Sequence, residues 1–180
     1  MPRTARVIIR AVISSFFSMK SLFFLLLGAL AIVAAMRYTL GKNPYGYRGH
    51  GDFFVFVFFG LATVCGSYLI CSDSFSEPLV FLPAAAIGCF SMGVLNVNNI
   101  RDMKTDAATR VTMAIRLGAR RARIYQLLLI LFGWLFMLVF SILYLQKSSI
   151  SSAWLLIFVI TLPLFVIHLR GVFSRTDKEL

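Results

Sequence analysis

The sequence predicts an all-α integral membrane protein of about five transmembrane helices, and three observations predict it. The 180 residues are 59% hydrophobic and only 14% charged, with a mean hydropathy of +0.86. A soluble domain is roughly half apolar and about a quarter charged. The apolar residues gather in runs close to the roughly 20 residues that cross a bilayer. Those runs are continuously apolar, which excludes the alternating pattern of a β-barrel. A chain of this length filled with spans has no room for a soluble catalytic domain, so its chemistry belongs on span ends and short connections. The excess of 18 Lys+Arg over 7 Asp+Glu, a net charge of +11, reads as loop topology. It makes the lipid bilayer the partner and not nucleic acid.

Residues 1–21 are basic and apolar. Arg3, Arg6, Arg10 and Lys20 surround the stretch Val7–Met19, which is too short for a span and is interrupted by Arg10. The segment reads as the remnant of an upstream helix. A signal peptide, with Ala29 and Ala31 in an A-x-A arrangement, is the lesser reading because of Lys20 and the segment's length. The membrane bundle is expected over residues 22–169, with spans at Leu22–Tyr38, Phe53–Ile70, Leu79–Asn96, Ile124–Leu145 and Trp154–Leu169. Gly60 and Gly66 in the second span, and Gly88 and Gly93 in the third, allow close helix approach. Cys65, Cys71 and Cys89 lack metal-binding or disulfide spacing and read as small apolar side chains. A polar tail, 170–180, closes the chain at Thr176-Asp177-Lys178-Glu179-Leu180, and both ends read as cut.

The connections 39–52 and 97–123 and the tail fall on one side, with Arg37, Lys42, Arg48, Arg101, Lys104 and Arg110 through Arg123 among their basic residues. Lys147 and the N-terminal basic residues fall on the other. The positive-inside rule makes the first side cytoplasmic, in the cell's inner (cytoplasmic) membrane.

The seven acids are informative because they are so few. Asp73 and Glu77 lie in the turn after the second span, and Asp177 and Glu179 in the tail. Asp52, Asp102 and Asp106 remain, all at span ends on the basic side. In Asn96-Val97-Asn98-Asn99-Ile100-Arg101-Asp102-Met103-Lys104-Thr105-Asp106, a helix puts Asn99, Asp102 and Asp106 on one face, joined by Arg110. Two carboxylates and an amide oxygen suit Mg²⁺, which shares its shell with phosphate, and guanidinium groups suit the phosphate. The bland alternative is a solvated helix whose Asp and Arg pair along its surface. Three asparagines at the end of an apolar span favour a site, because amides there are costly without partners.

The second segment, Asn43-Pro44-Tyr45-Gly46-Tyr47-Arg48-Gly49-His50-Gly51-Asp52, reads as a loop with a constrained path. Its tyrosines could equally anchor at headgroup depth, and His50 has no second histidine to form a metal pair. The Phe-rich run from Phe53 to Gly60 suits either an isoprenoid chain, through its ring faces, or plain lipid. Arg110, Arg116, Arg120, Arg121 and Arg123 suit anionic lipid, with Arg110 the choice for a diphosphate ligand.

At these segments the chain resembles the membrane-embedded aromatic prenyltransferases of the UbiA superfamily, in the branch that prenylates 1,4-dihydroxy-2-naphthoate in menaquinone biosynthesis. Tyr38-Thr39 with Asn43-Pro44-Tyr45-Gly46-Tyr47 through Gly60 resembles that branch's YT…PYGYxGLGDxxVFxFFG stretch. Asn98-Asn99-Ile100-Arg101-Asp102 through Asp106, with Thr112 to Gly118, resembles NNxRDxxxD…TLAVRLG. The resemblance implies that the five spans correspond to helices four to eight of a nine-helix bundle. It also implies transfer of a polyprenyl group from polyprenyl diphosphate to 1,4-dihydroxy-2-naphthoate with decarboxylation, giving demethylmenaquinone. Asp102 and Asp106 are the implied catalytic Mg²⁺ ligands, with Asn99 assisting. Arg110, and Arg101 from off the carboxylate face, are implied to hold the diphosphate, while Tyr45, Arg48 and Asp52 line the acceptor end.

His50 stands where the family usually has Leu, Thr109 where it has Gly, and Arg110 where it has Lys, which keeps the charge but changes its geometry. Residues 1–51 hold no Asp or Glu, so the family's first Asp-rich motif has no counterpart. The alternative reading is therefore a catalytically incomplete fragment of that family. A small membrane transporter ranks last, because charged residues inside the spans are expected for one and the cores have none.

Overall fold

A computed structural model describes residues 19–40, 44, 46, 48–72, 77–148 and 150–174. Arg3, Arg6 and Arg10, Lys42, Asn43, Tyr45 and Tyr47, Asp73, and the tail from Arg175 onward lie outside the described residues. The chain divides into two units, Met1–Pro44 and Tyr45–Leu180.

The first unit contributes α1 (Met19–Thr39), a helix apolar on every side with only Arg37 in its last turn, where a cation suits the helix dipole. None of its described side chains is buried.

The second unit holds α2 (Gly51–Ser72), α3 (Phe81–Arg101), α4 (Met103–Asp106), α5 (Met113–Leu117), α6 (Ala119–Lys147) and α7 (Leu156–Ser174). Five helices of the described residues, α1 among them, are long and apolar enough to cross a membrane. The helices overrun the apolar runs at their polar ends. Thus α6 begins at Ala119, because Arg120, Arg121 and Arg123 are good helix formers.

The third helix is the centre of this unit, packing against α2 on one side and α6 on the other. Its buried positions include Ala84, Ala86, Gly88, Cys89 and Gly93, small residues that let backbones approach. The α2 partner widens into a π-helical turn at Phe56–Ala62, with Thr63 Oγ1 donating to the Phe58 carbonyl at 2.7 Å. There Gly60 meets α3 so closely that a Cβ would lie 2.6 Å from the Ala84 carbonyl oxygen. Cys65, Val80 and Ala84 form one apolar core with Leu61, Val64 and Tyr68. All three cysteines are free, with Cys65 and Cys89 buried and Cys71 exposed. At the far end Lys147 reaches Glu77 at 3.1 Å, joining α6 to the α2–α3 connection.

A polar chain crosses the bundle among these apolar residues. Asn96 Nδ2 donates to the Ala122 carbonyl and to Gln126 Oε1, both at 3.0 Å, and Gln126 Nε2 lies 3.1 Å from His168 Nε2 on α7. The Ala122 carbonyl can only accept, which orients the Asn96 amide and then the Gln126 amide, so His168 Nε2 is the acceptor. Arg123 Nε adds a second tie from α6 to α7, donating to the Val172 carbonyl at 2.8 Å. Gln126→Leu leaves the Asn96 amide short of a partner in a buried site and is expected to cost about 1–3 kcal/mol. Thermal melts in detergent check this, and adding Asn96→Leu to Gln126→Leu recovers part of the loss, since both partners then become apolar.

Candidate functional site

The acidic segment begins where α3 ends. The backbone turns out of helix at Asp102, with φ −92° and ψ 7°, and resumes as α4. The uninterrupted helix expected from Asn99 to Asp106 is thus two helices joined at Asp102. The Thr105 and Thr109 hydroxyls add second donors to the Asp102 and Asp106 carbonyls at 2.8 and 3.3 Å. The i, i+4 links survive, from Asp102 N to the Asn98 carbonyl at 2.9 Å and from Asp106 N to the Asp102 carbonyl at 2.8 Å.

Each carboxylate has a guanidinium. Asp106 is buried, and Arg110 Nη2 lies 2.7 Å from its Oδ2, the i, i+4 pairing that the spacing predicts. Arg101 corrects the expectation that it stands off the carboxylate face. Its Nε and Nη2 reach the two oxygens of Asp102 at 2.9 and 3.0 Å, a bidentate grip that the sharp turn at Asp102 permits. Asn99 is buried in the last turns of α3 beside Ile100, whose side chain packs with Ala114 and Ala122.

The Arg101 hydrogen bond, together with its charge and that of Arg110, holds the Asp102 carboxyl below the ordinary carboxylate value. A carboxyl depressed in the folded state adds stability above its unfolded value and loses that contribution as pH falls through the folded one. The pair is exposed, so the effect on stability is small, but the titration is measurable. Carbon-13 detection of the Asp102 carboxyl is expected to give a midpoint below that of an ordinary aspartate, moving back up in Arg101→Ala. An unchanged midpoint in that variant contradicts the pairing.

The loop before α2 meets the α4–α5 connection. A parallel β-bridge joins Arg48 to Val111, and Arg116 Nη2 donates to the Arg48 carbonyl at 2.5 Å. Gly49 between them is buried at φ +78°, and a Cβ there would stand 2.7 Å from Arg116 Nε, so both conformation and space call for glycine. Thr112 caps α5, its hydroxyl accepting from Ile115 N at 3.3 Å, and Gly118 at φ +74° turns the chain into α6. Asp52 lies in the first turn of α2, only 4% exposed, with the Tyr125 side chain of α6 hydrogen-bonded to it. The structure thus brings Arg48 beside the segment that follows Arg110. Tyr45 lies outside the described residues.

Among the described residues no three His, Cys, Asp or Glu side chains converge as a metal cage. Two carboxylates one turn apart, each beside a guanidinium, fit instead a Mg²⁺ ion held by one or two carboxylates and sharing substrate phosphates. An apolar cavity of about 670 Å³ lies between α6 and α7 toward the Lys147 end, walled by Trp134, Phe140, Trp154, Phe158 and Phe165 among others. No charged side chain lines it, so it suits hydrocarbon and not ionic chemistry. Sequence reasoning missed Tyr125, Gln126 and His168. Their signal is long-range: Tyr125 follows an Arg-rich run and meets Asp52 only through the packing of α6.

The UbiA prenyltransferase family model matches residues 3–179. A 1,4-dihydroxy-2-naphthoate octaprenyltransferase of Haemophilus influenzae is 41% identical over 157 residues, covering 86% of this chain and 49% of the relative. The protein of the same name from Escherichia coli is 38% identical over 155 residues, covering 86% and 48%. That from Mycobacterium tuberculosis is 45% identical over 109 residues, covering 59% and 37%. The chain therefore spans about half the length, or less, of the curated relatives it matches. No solved structure matches it significantly.

Proposed function

This chain belongs to the UbiA prenyltransferase family, and from that premise we propose that it serves in prenyl transfer from polyprenyl diphosphate to 1,4-dihydroxy-2-naphthoate. The carboxylate of the acceptor leaves as carbon dioxide, diphosphate departs, and the product is demethylmenaquinol, the reduced form of demethylmenaquinone, as in menaquinone biosynthesis. Relatives named for that acceptor support the choice. The observation that carries the reading is the pairing of Asp102 with Arg101 and of Asp106 with Arg110 at the end of a membrane span.

Asp102 and Asp106, with Asn99, would hold Mg²⁺, which when bound with the diphosphate neutralises the leaving group. Arg110 and Arg101 stand beside those carboxylates and would supply fixed positive charge to phosphate oxygens, which favours departure of diphosphate. The buried position of Asp106 strengthens such interactions, because the local dielectric is low. Arg48, Tyr45 and Asp52 are assigned to the acceptor end. By the excess of Lys and Arg in its connections, this end of the bundle faces the cytoplasm from the inner membrane.

Membranes carrying the chain, given labelled farnesyl diphosphate, Mg²⁺ and either 1,4-dihydroxy-2-naphthoate or 4-hydroxybenzoate, test the acceptor assignment. The expected result is a lipid-soluble naphthoquinol with release of carbon dioxide, lost with EDTA. Product from 4-hydroxybenzoate alone would assign a different aromatic acceptor.

A further inference from the structure

Asp52 is an unusual group for its surroundings. Its carboxyl is almost fully removed from solvent, and its Oδ2 has no hydrogen-bond partner among the described residues. No described Lys or Arg forms an ion pair with it. A carboxylate in that position calls for a donor, since burying its lone pairs unmatched is costly. Asp106, the other buried acid, has its guanidinium. Tyr125 bonds to Asp52 from α6 and leaves Oδ2 open.

The neighbourhood favours an aromatic donor. Phe53, Phe54 and Phe58 follow on α2, with the Phe54 and Phe58 rings stacked at 6.2 Å and the Phe53 and Phe54 rings edge to face at 5.4 Å. The start of α2, the end of α3 and the start of α6 lie at the same end of the bundle, which also holds the Asp102 and Asp106 pairs.

We propose that Asp52 recognises a ring hydroxyl of the aromatic acceptor, its free carboxylate oxygen accepting the hydroxyl hydrogen bond, while Tyr125 is the positioning residue that fixes the carboxylate plane. The proposal rests on the acceptor assignment made above and adds to it a residue pair and a chemical criterion. Selectivity at this end comes from the hydroxyl, because a carboxylate built to accept one is left unpaired by an analogue without it.

Equilibrium binding to the detergent-solubilised chain, read by naphthoate fluorescence, tests this with 1-hydroxy-2-naphthoate and with 2-naphthoate, which lacks the hydroxyl. The wild type is expected to bind the hydroxylated probe at least about tenfold more tightly. Asp52→Leu removes that preference, and the milder Asp52→Asn reduces it if the leucine variant does not fold. Tyr125→Phe lowers the preference several-fold while leaving 2-naphthoate binding unchanged, whereas a purely structural role for Tyr125 weakens both probes alike. Retention of the full preference in the Asp52 variants overturns the proposal and leaves the acceptor assignment standing. Failure of the wild type to bind either probe overturns both.

Discussion

Asp106→Asn is expected to lower prenyl transfer by about 10²–10³-fold, the scale on which loss of one preorganised charge-stabilising group is felt. The size follows from burial. The Asp106 side chain is 12% exposed against 36% for Asp102, so its charge acts through less water. Substitution also breaks the pair with Arg110, whose Nη2 lies 2.7 Å from Asp106 Oδ2. Asp102→Asn is expected to cost less. Its partner Arg101 is 45% exposed and can turn to solvent. Adding Arg110→Gln to Asp106→Asn removes both members of the ion pair and should restore part of the melting temperature without restoring product. Product formation and thermal melts, read on the same four proteins, separate the site's chemistry from its contribution to folding.

The second large effect is expected at the α2–α3 crossing. Gly60→Val places a Cβ 2.6 Å from the Ala84 carbonyl oxygen and 2.7 Å from Gly88 Cα, both backbone atoms that cannot swing aside. Overpacking of this kind typically costs about 1–3 kcal/mol, and a backbone obstacle puts this case at the upper end or beyond folding altogether. Gly88→Ala is the control. Its Cβ meets the Phe56 ring at 2.5 Å, and a ring can rotate away. A smaller loss of melting temperature for Gly88→Ala than for Gly60→Val supports the crossing as described. Equal melts for wild type and Gly60→Val contradict it.

Much of this fold was legible in the sequence because hydrocarbon imposes one strong rule, and continuous apolar runs of span length become helices. Gly60 and Gly88 were legible as contact glycines for the same reason, since association in lipid favours small residues. The pairing of Asp106 with Arg110 followed from helical spacing. Arg101 did not follow, because its grip on Asp102 depends on the local departure from helical backbone at Asp102, which periodicity does not register. The contact of Tyr125 with Asp52 and the chain from Asn96 through Gln126 to His168 join residues distant in sequence. They emerge only once α3, α6 and α7 are packed. The Arg48–Val111 bridge is likewise a product of folding that brings together two motif segments the sequence shows only as separate loops.

The central claim is that the Asp102 and Asp106 segment holds a polyprenyl diphosphate through Mg²⁺. Calorimetric titration of the solubilised chain with farnesyl thiodiphosphate, a slowly ionising analogue, tests it most directly when run with Mg²⁺ and with EDTA. The account predicts binding that requires Mg²⁺ in the wild type and disappears in the Asp102→Asn, Asp106→Asn double variant. Binding of equal affinity in that double variant, or binding indifferent to Mg²⁺, would contradict it.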